Sequence, residues 1–122
     1  MELSDLIGHP YTKEFDCRWL ASVVAPLLGK GFPDDATPED KEDWPKAVKK
    51  AMHNHYRKVK VPKIGDLAIF AIPEGKKTEW HCGTIIKPGW MITTRESIGV
   101  HLARLNSVMW RVCLRGYYEF VN

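Results

Sequence analysis

The chain has 122 residues, a net charge of +3 and 44% apolar residues, which supports one domain over 1–122 with a sizeable core. No apolar run is long enough to span a bilayer, so no membrane insertion is expected, and the charge is too small to point to nucleic acid by itself. Three cysteines, Cys17, Cys82 and Cys113, have no CxxC spacing, so free thiols are expected rather than a disulfide framework or a zinc ribbon.

The start lacks the basic and apolar regions of a signal peptide, which predicts a chain made in a cytoplasm and kept there unless something carries it out. Residues 1–15 read as a lead-in, with a turn at Gly8-His9-Pro10-Tyr11. Asp16 is a good N-cap, and Trp19, Leu20, Val23, Val24, Leu27 and Leu28 then recur at helical spacing with one buried face. Gly29 and Gly31 stop this helix. Pro26 predicts a kink or an early end near Ala25. Residues 29–43 read as a loop, and a second helix is predicted from Trp44-Pro45 to about His55.

An acidic stretch over 39–43 precedes a basic one over 46–63, which is read as a solvated face or, more sharply, as a patch for an anionic polymer. Strands begin near residue 57. They are expected over 67–72, 79–86, 90–94, 100–103 and 112–120, with turns at 62–66, 73–77 and 87–89. Gly116 is a candidate bulge. Helices followed by an antiparallel meander make the α+β class.

Cys17 falls in the first turn of the first long helix, where unpaired N–H groups and the positive end of the dipole favour a thiolate. It is either a nucleophile or a buried structural cysteine. A nucleophilic cysteine needs a base, and the fold must supply it. His9 lies in a turn, His53 and His55 end a basic helix, and His101 sits in a short strand. His81 opens an apolar strand, a rigid place for a base, although a half-buried strand histidine is the plain alternative. His53, His55, Cys82 and His81 contain ligand types without a metal-site spacing, so no metal is expected. Asp66 reads as a turn cap.

The order Asp16-Cys17, then Gly65-Asp66-Leu67 entering an apolar strand, then His81-x-Gly83 opening the next, resembles the NlpC-type papain-like cysteine peptidases of bacterial cell walls. Pro10-Tyr11, Gly99-Val100, Leu105, Trp110, Arg111, Gly116, Tyr117 and Tyr118 look like the copies in tails of long-tailed phages. The resemblance implies a papain-like fold with N-terminal helices packed on an antiparallel sheet. It implies Cys17 as nucleophile, His81 as base and the Cys17 N–H as an oxyanion donor. Counting along the hairpin puts Thr93 at the third position, where the family commonly has histidine. Tyr11 and Asp16 match positions bordering the substrate, and Arg18-Trp19 stands where cell-wall enzymes tend to have Ser-Gly, so Arg18 is a candidate substrate contact.

The implied partners are the peptidoglycan stem peptide and other phage tail-tip proteins. The implied location is the virion, and no cofactor is required. The rival expectation is a tail-tip or hub protein that keeps the fold with little or no activity.

Overall fold

A computed structural model describes residues 1–33 and 44–121. Six antiparallel strands form one sheet in the order β1-β6-β2-β3-β4-β5. They are β1 (Tyr56–Val59), β2 (Leu67–Glu74), β3 (Lys77–Lys87), β4 (Trp90–Arg95), β5 (Gly99–Arg104) and β6 (Leu114–Phe120). The helices are α1 (Leu3–Leu6), α2 (Cys17–Leu27), α3 (Trp44–His55) and α4 (Val108–Cys113). This is the expected α+β arrangement. The loop expected over 29–43 and the acidic stretch over 39–43 fall mostly outside the described residues.

The central strand β2 is an unbroken apolar run because both its faces are covered. Ala68, Phe70 and Ile72 point to a layer with Ile85, Met91, Trp110 and Cys113. Leu67 and Ile69 point to the opposite layer, with Cys17, Ala21 and Cys82. The helix α2 packs on β3 and β4, where Leu20 and Val24 meet Ile92 and Val100.

Expectations change at three elements, α2, α4 and α1. Pro26 does not end α2 near Ala25: the helix runs on to Leu27, with Pro26 in its last turn. The helix closes with a Schellman cap in which Lys30 N–H donates to Ala25 O (2.8 Å) and Gly29 N–H to Pro26 O (3.1 Å), with Gly29 at φ +73°. Its buried face is Cys17, Leu20, Ala21, Val24 and Ala25, while Leu27, which the spacing placed on that face, is exposed. Residues 108–113 form α4, so Val112 and Cys113 do not open the last strand as expected, and burying Trp110 and Cys113 from one helical turn outweighs the β-branched Val108 and Val112, both exposed. The third change is α1, a single turn inside what the sequence presented as lead-in, closed by a reciprocal capping box between Glu2 and Asp5.

The expected bulge is present. Ile69 pairs with Gly116 but Phe70 pairs with Leu114, so Arg115 is the extra residue. Asp66 caps its turn as expected, accepting from Lys63 N–H at 2.7 Å. In the basic stretch, Lys49, Lys50, Arg57, Lys58, Lys60 and Lys63 are exposed, and Arg57 pairs with Glu119 at 2.7 Å.

Candidate active site

The start of α2 is fixed by its cap. The Asp16 carboxylate accepts from Arg18 N–H and Trp19 N–H, both at 3.0 Å, which holds Cys17 in the first turn and leaves the Cys17 N–H outside those two bonds. The segment before the helix is held independently. Gly8 N–H donates to Val100 O and Val100 N–H to His9 O, both at 2.9 Å. Gly99 must be glycine for this approach: its φ is +76° and a Cβ would sit 2.6 Å from His9 O. The rings of His9, Phe15 and Trp19 pack at 4.9 Å centroid separations. Tyr11 is thereby carried to the neighbourhood of Cys17.

Opposite Cys17 the sheet opens. Backbone pairing between β3 and β4 covers Thr84 with Ile92, Ile85 with Met91 and Lys87 with Trp90; the preceding part of β3 is laddered to β2. In the gap, Thr93 Oγ1–H donates to Cys82 O at 2.9 Å. On a strand, one residue's N–H and C=O point to the same side, so Cys82 N–H also faces the gap. Gly83 makes room beside it, since a Cβ there would meet Met91 Sδ at 2.3 Å.

The same threonine sets the histidine tautomer. Thr93 Oγ1 lies 2.6 Å from His81 Nε2. A hydroxyl has one proton, and this one is committed to Cys82 O. Oγ1 must therefore accept, Nε2 must carry the ring proton, and the Nδ1 lone pair is left for a proton from elsewhere. Trp110 stacks on the imidazole at 5.2 Å and 27°, and Arg95 covers Trp110 at 5.6 Å.

Cys17 is held well below the ordinary thiol range. The largest cause is a hydrogen bond from the Cys82 thiol; a hydrogen bond and charge from His81 and the Cys82 backbone N–H act the same way, against the opposing cost of burial. Cys82 is pushed well above the range by its hydrogen bond with Cys17, by burial and by the Cys17 charge. The sulfur that ionises first is therefore that of Cys17. Tyr11 is pushed up to about 12 by burial, then by the charges of Cys17, Asp16, Glu79 and Glu96, so its phenol keeps its proton. Burial pulls the Arg18 guanidinium down, and the charges of Asp16, Cys82 and Cys17 pull it up.

Six sequence candidates thus gather at one place: Cys17, His81, Thr93, Tyr11, Asp16 and Arg18. His53 lies exposed at the end of α3, with His55 half-buried there, and His101 stands opposite Thr93 on β5, its Nδ1 2.7 Å from Gly99 O. Among the described residues no three His, Cys, Asp or Glu side chains cluster as a metal site would. A groove lined by Pro88, Trp90, Arg104, Arg111 and Tyr117 lies at the β3–β4 turn and contains none of the six.

Two contributors escape sequence reasoning. Cys82 follows His81 directly, and alternation along a strand sends neighbours to opposite faces, so only the gap lets Cys17 meet both. Trp110 belongs to the unforeseen helix α4; the turn-forming pair Asn106-Ser107 just before it was the available signal.

No family model matches the sequence, and no curated protein is significantly similar to it. Among solved structures, a crystal structure of an NlpC/P60 family protein from Bacillus cereus matches with a TM-score of 0.68 at 23% identity, covering 98% of this chain and 38% of that one. The chain thus has the fold of an NlpC/P60 protein over nearly its whole length, and spans 38% of that protein's.

Proposed function

We propose that this protein is a papain-like cysteine peptidase or amidase acting on the stem peptide of peptidoglycan. The observation that carries the reading is the His81–Thr93 pair, in which Thr93 holds the ring in the tautomer a general base needs, beside a Cys17 thiol that His81 helps to lower. Cys17 attacks the amide carbonyl and His81 takes up the thiol proton at Nδ1. The tetrahedral oxyanion leans on the Cys17 N–H at the helix start, and on collapse His81 delivers its proton to the leaving amine. Tyr11, kept protonated, donates to a substrate oxygen. Asp16 and Arg18 frame the same wall, with Asp16 chiefly acting as the cap that positions the nucleophile.

The tail of a long-tailed phage is the proposed setting, with neighbouring tail-tip proteins as partners and the virion as the location. It rests on the sequence sub-pattern around Pro10-Tyr11, Gly99-Val100 and residues 110–118. Detection of the chain in purified particles by mass spectrometry tests it.

One observation favours the second reading, a tail structural protein of the same fold with little activity: Cys17 is only 6% exposed and His81 4%. Digestion of purified peptidoglycan separates the two. Wild type is expected to release stem-peptide fragments by mass spectrometry and Cys17→Ala to release none. No release by folded wild type overturns the enzyme reading in favour of the structural one.

A further inference from the structure

We propose that Cys17 and Cys82 form a redox pair in which a peroxide oxidises Cys17 and Cys82 resolves the product into an intramolecular disulfide. The geometry is specific to these two thiols. Cys82 Sγ donates to the Cys17 carbonyl oxygen at 3.4 Å across 65 residues of sequence. Both are free and buried in the same apolar layer. The third cysteine, Cys113, lies in the layer on the other face of the sheet and serves as an internal control.

The chemistry balances with hydrogen peroxide as the oxidant. The Cys17 thiolate attacks one peroxide oxygen, the O–O bond breaks, and hydroxide leaves and is protonated to water. Sulfur has lost two electrons and is now a sulfenic acid. The Cys82 sulfur then attacks the Cys17 sulfur, the S–O bond breaks, and the hydroxyl leaves with the Cys82 proton as a second water. The sum is two thiols and one peroxide giving one disulfide and two waters.

The order of events follows from the site. Cys17 is the thiolate and reacts first. Its hydrogen bond and negative charge, together with burial, keep Cys82 protonated; conversion to a neutral sulfenic acid removes the charge, which eases attack by Cys82, and leaves burial as the main remaining cause. The disulfide occupies the proposed nucleophile and shields it from irreversible oxidation. The inference requires the thiol pair alone and holds whether or not the protein cleaves peptidoglycan.

The test is treatment of the full chain with hydrogen peroxide, denaturing alkylation with N-ethylmaleimide, and peptide mapping. The expected product is about 2 Da lighter before alkylation, carries a Cys17–Cys82 cross-linked peptide, has Cys113 alkylated, and reverts with dithiothreitol. Cys113→Ser should behave like wild type, and folded Cys82→Ser should instead accumulate sulfinic or sulfonic acid at Cys17. Wild-type protein that gains oxygen at Cys17 with Cys82 still alkylated, or whose three thiols all stay reduced, overturns the proposal; this mapping needs no variant to fold. Disulfide formation in a protein that releases no peptidoglycan fragments would remove the proposed activity and leave the redox pair standing.

Discussion

From Thr84 to Lys87, β3 is laddered to β4, with Thr84 also paired to Leu67 of β2 and Ile85 bonded to Gly65 and Asp66; over residues 77–83 it is laddered to β2 alone. The first region spends its backbone polar groups on pairing and its side chains, such as Ile85, on the core. The second has given up pairing on one side. There Cys82 O is satisfied by a threonine hydroxyl and Cys82 N–H faces a sulfur, while the side chain of His81 is pinned by Thr93. One strand thus holds a structural half and a chemical half. The difference lies in where the freed N–H and C=O groups find partners, since buried backbone groups must find them.

Substitutions in the two halves should dissociate stability from reactivity. Ile85→Ala, in the laddered half, should have the largest effect, lowering unfolding free energy by about 2–5 kcal/mol in urea titrations. The rate of iodoacetamide labelling of Cys17 in the folded fraction should not change. At the junction, Gly83→Ala pushes against Met91 Sδ and should cost about 1–3 kcal/mol, with a smaller shift in Cys17 labelling. Thr93→Val leaves His81 Nε2 and Cys82 O without their partner and should cost about 1–3 kcal/mol. Unlike Ile85→Ala, and more than Gly83→Ala, it should also slow labelling of Cys17 at neutral pH, and Thr93→Ser should restore the rate. Equal loss of labelling in Ile85→Ala and Thr93→Val would erase the distinction between the halves.

The smallest effect is the pH dependence, and its sign is set by the two opposed shifts. Cys17 is depressed on folding, so its contribution is fully present above the unfolded thiol pKa of about 8.5 and is lost as pH falls through its folded value. Cys82 is elevated, so its contribution is present below that same unfolded value and is lost as pH rises through its folded one. The stability gap between wild type and the Cys17→Ala, Cys82→Ala double variant should therefore peak near pH 8–9 and shrink on both sides. Labelling of Cys17 should reach its plateau at lower pH than that of a free thiol. A monotonic gap, or labelling of Cys17 that follows free cysteine, would count against the coupled pair.

Local patterns in the chain settled a good deal. Asp16 before an apolar helix face placed Cys17 in a first turn because a carboxylate caps exposed N–H groups over one residue's reach. The run from Leu67 to Ile72 announced a strand covered on both faces, and Gly116 marked the bulge in its neighbour β6. Spacing along the hairpin also put Thr93 beside His81, because strands pair at a fixed repeat. Other features depended on interactions that no window of sequence contains. Pro26 was harmless because the helix happened to end one residue later, and residues 108–113 coiled because Trp110 could reach across to Phe70 and His81.

The meeting of Cys17 with both His81 and Cys82 belongs to the tertiary structure alone. Alternation sends adjacent strand residues to opposite faces, and only a break in the ladder between β3 and β4 lets one sulfur address two of them. The meeting joins the start of α2 to a strand residue 65 positions later, a separation that no local pattern spans.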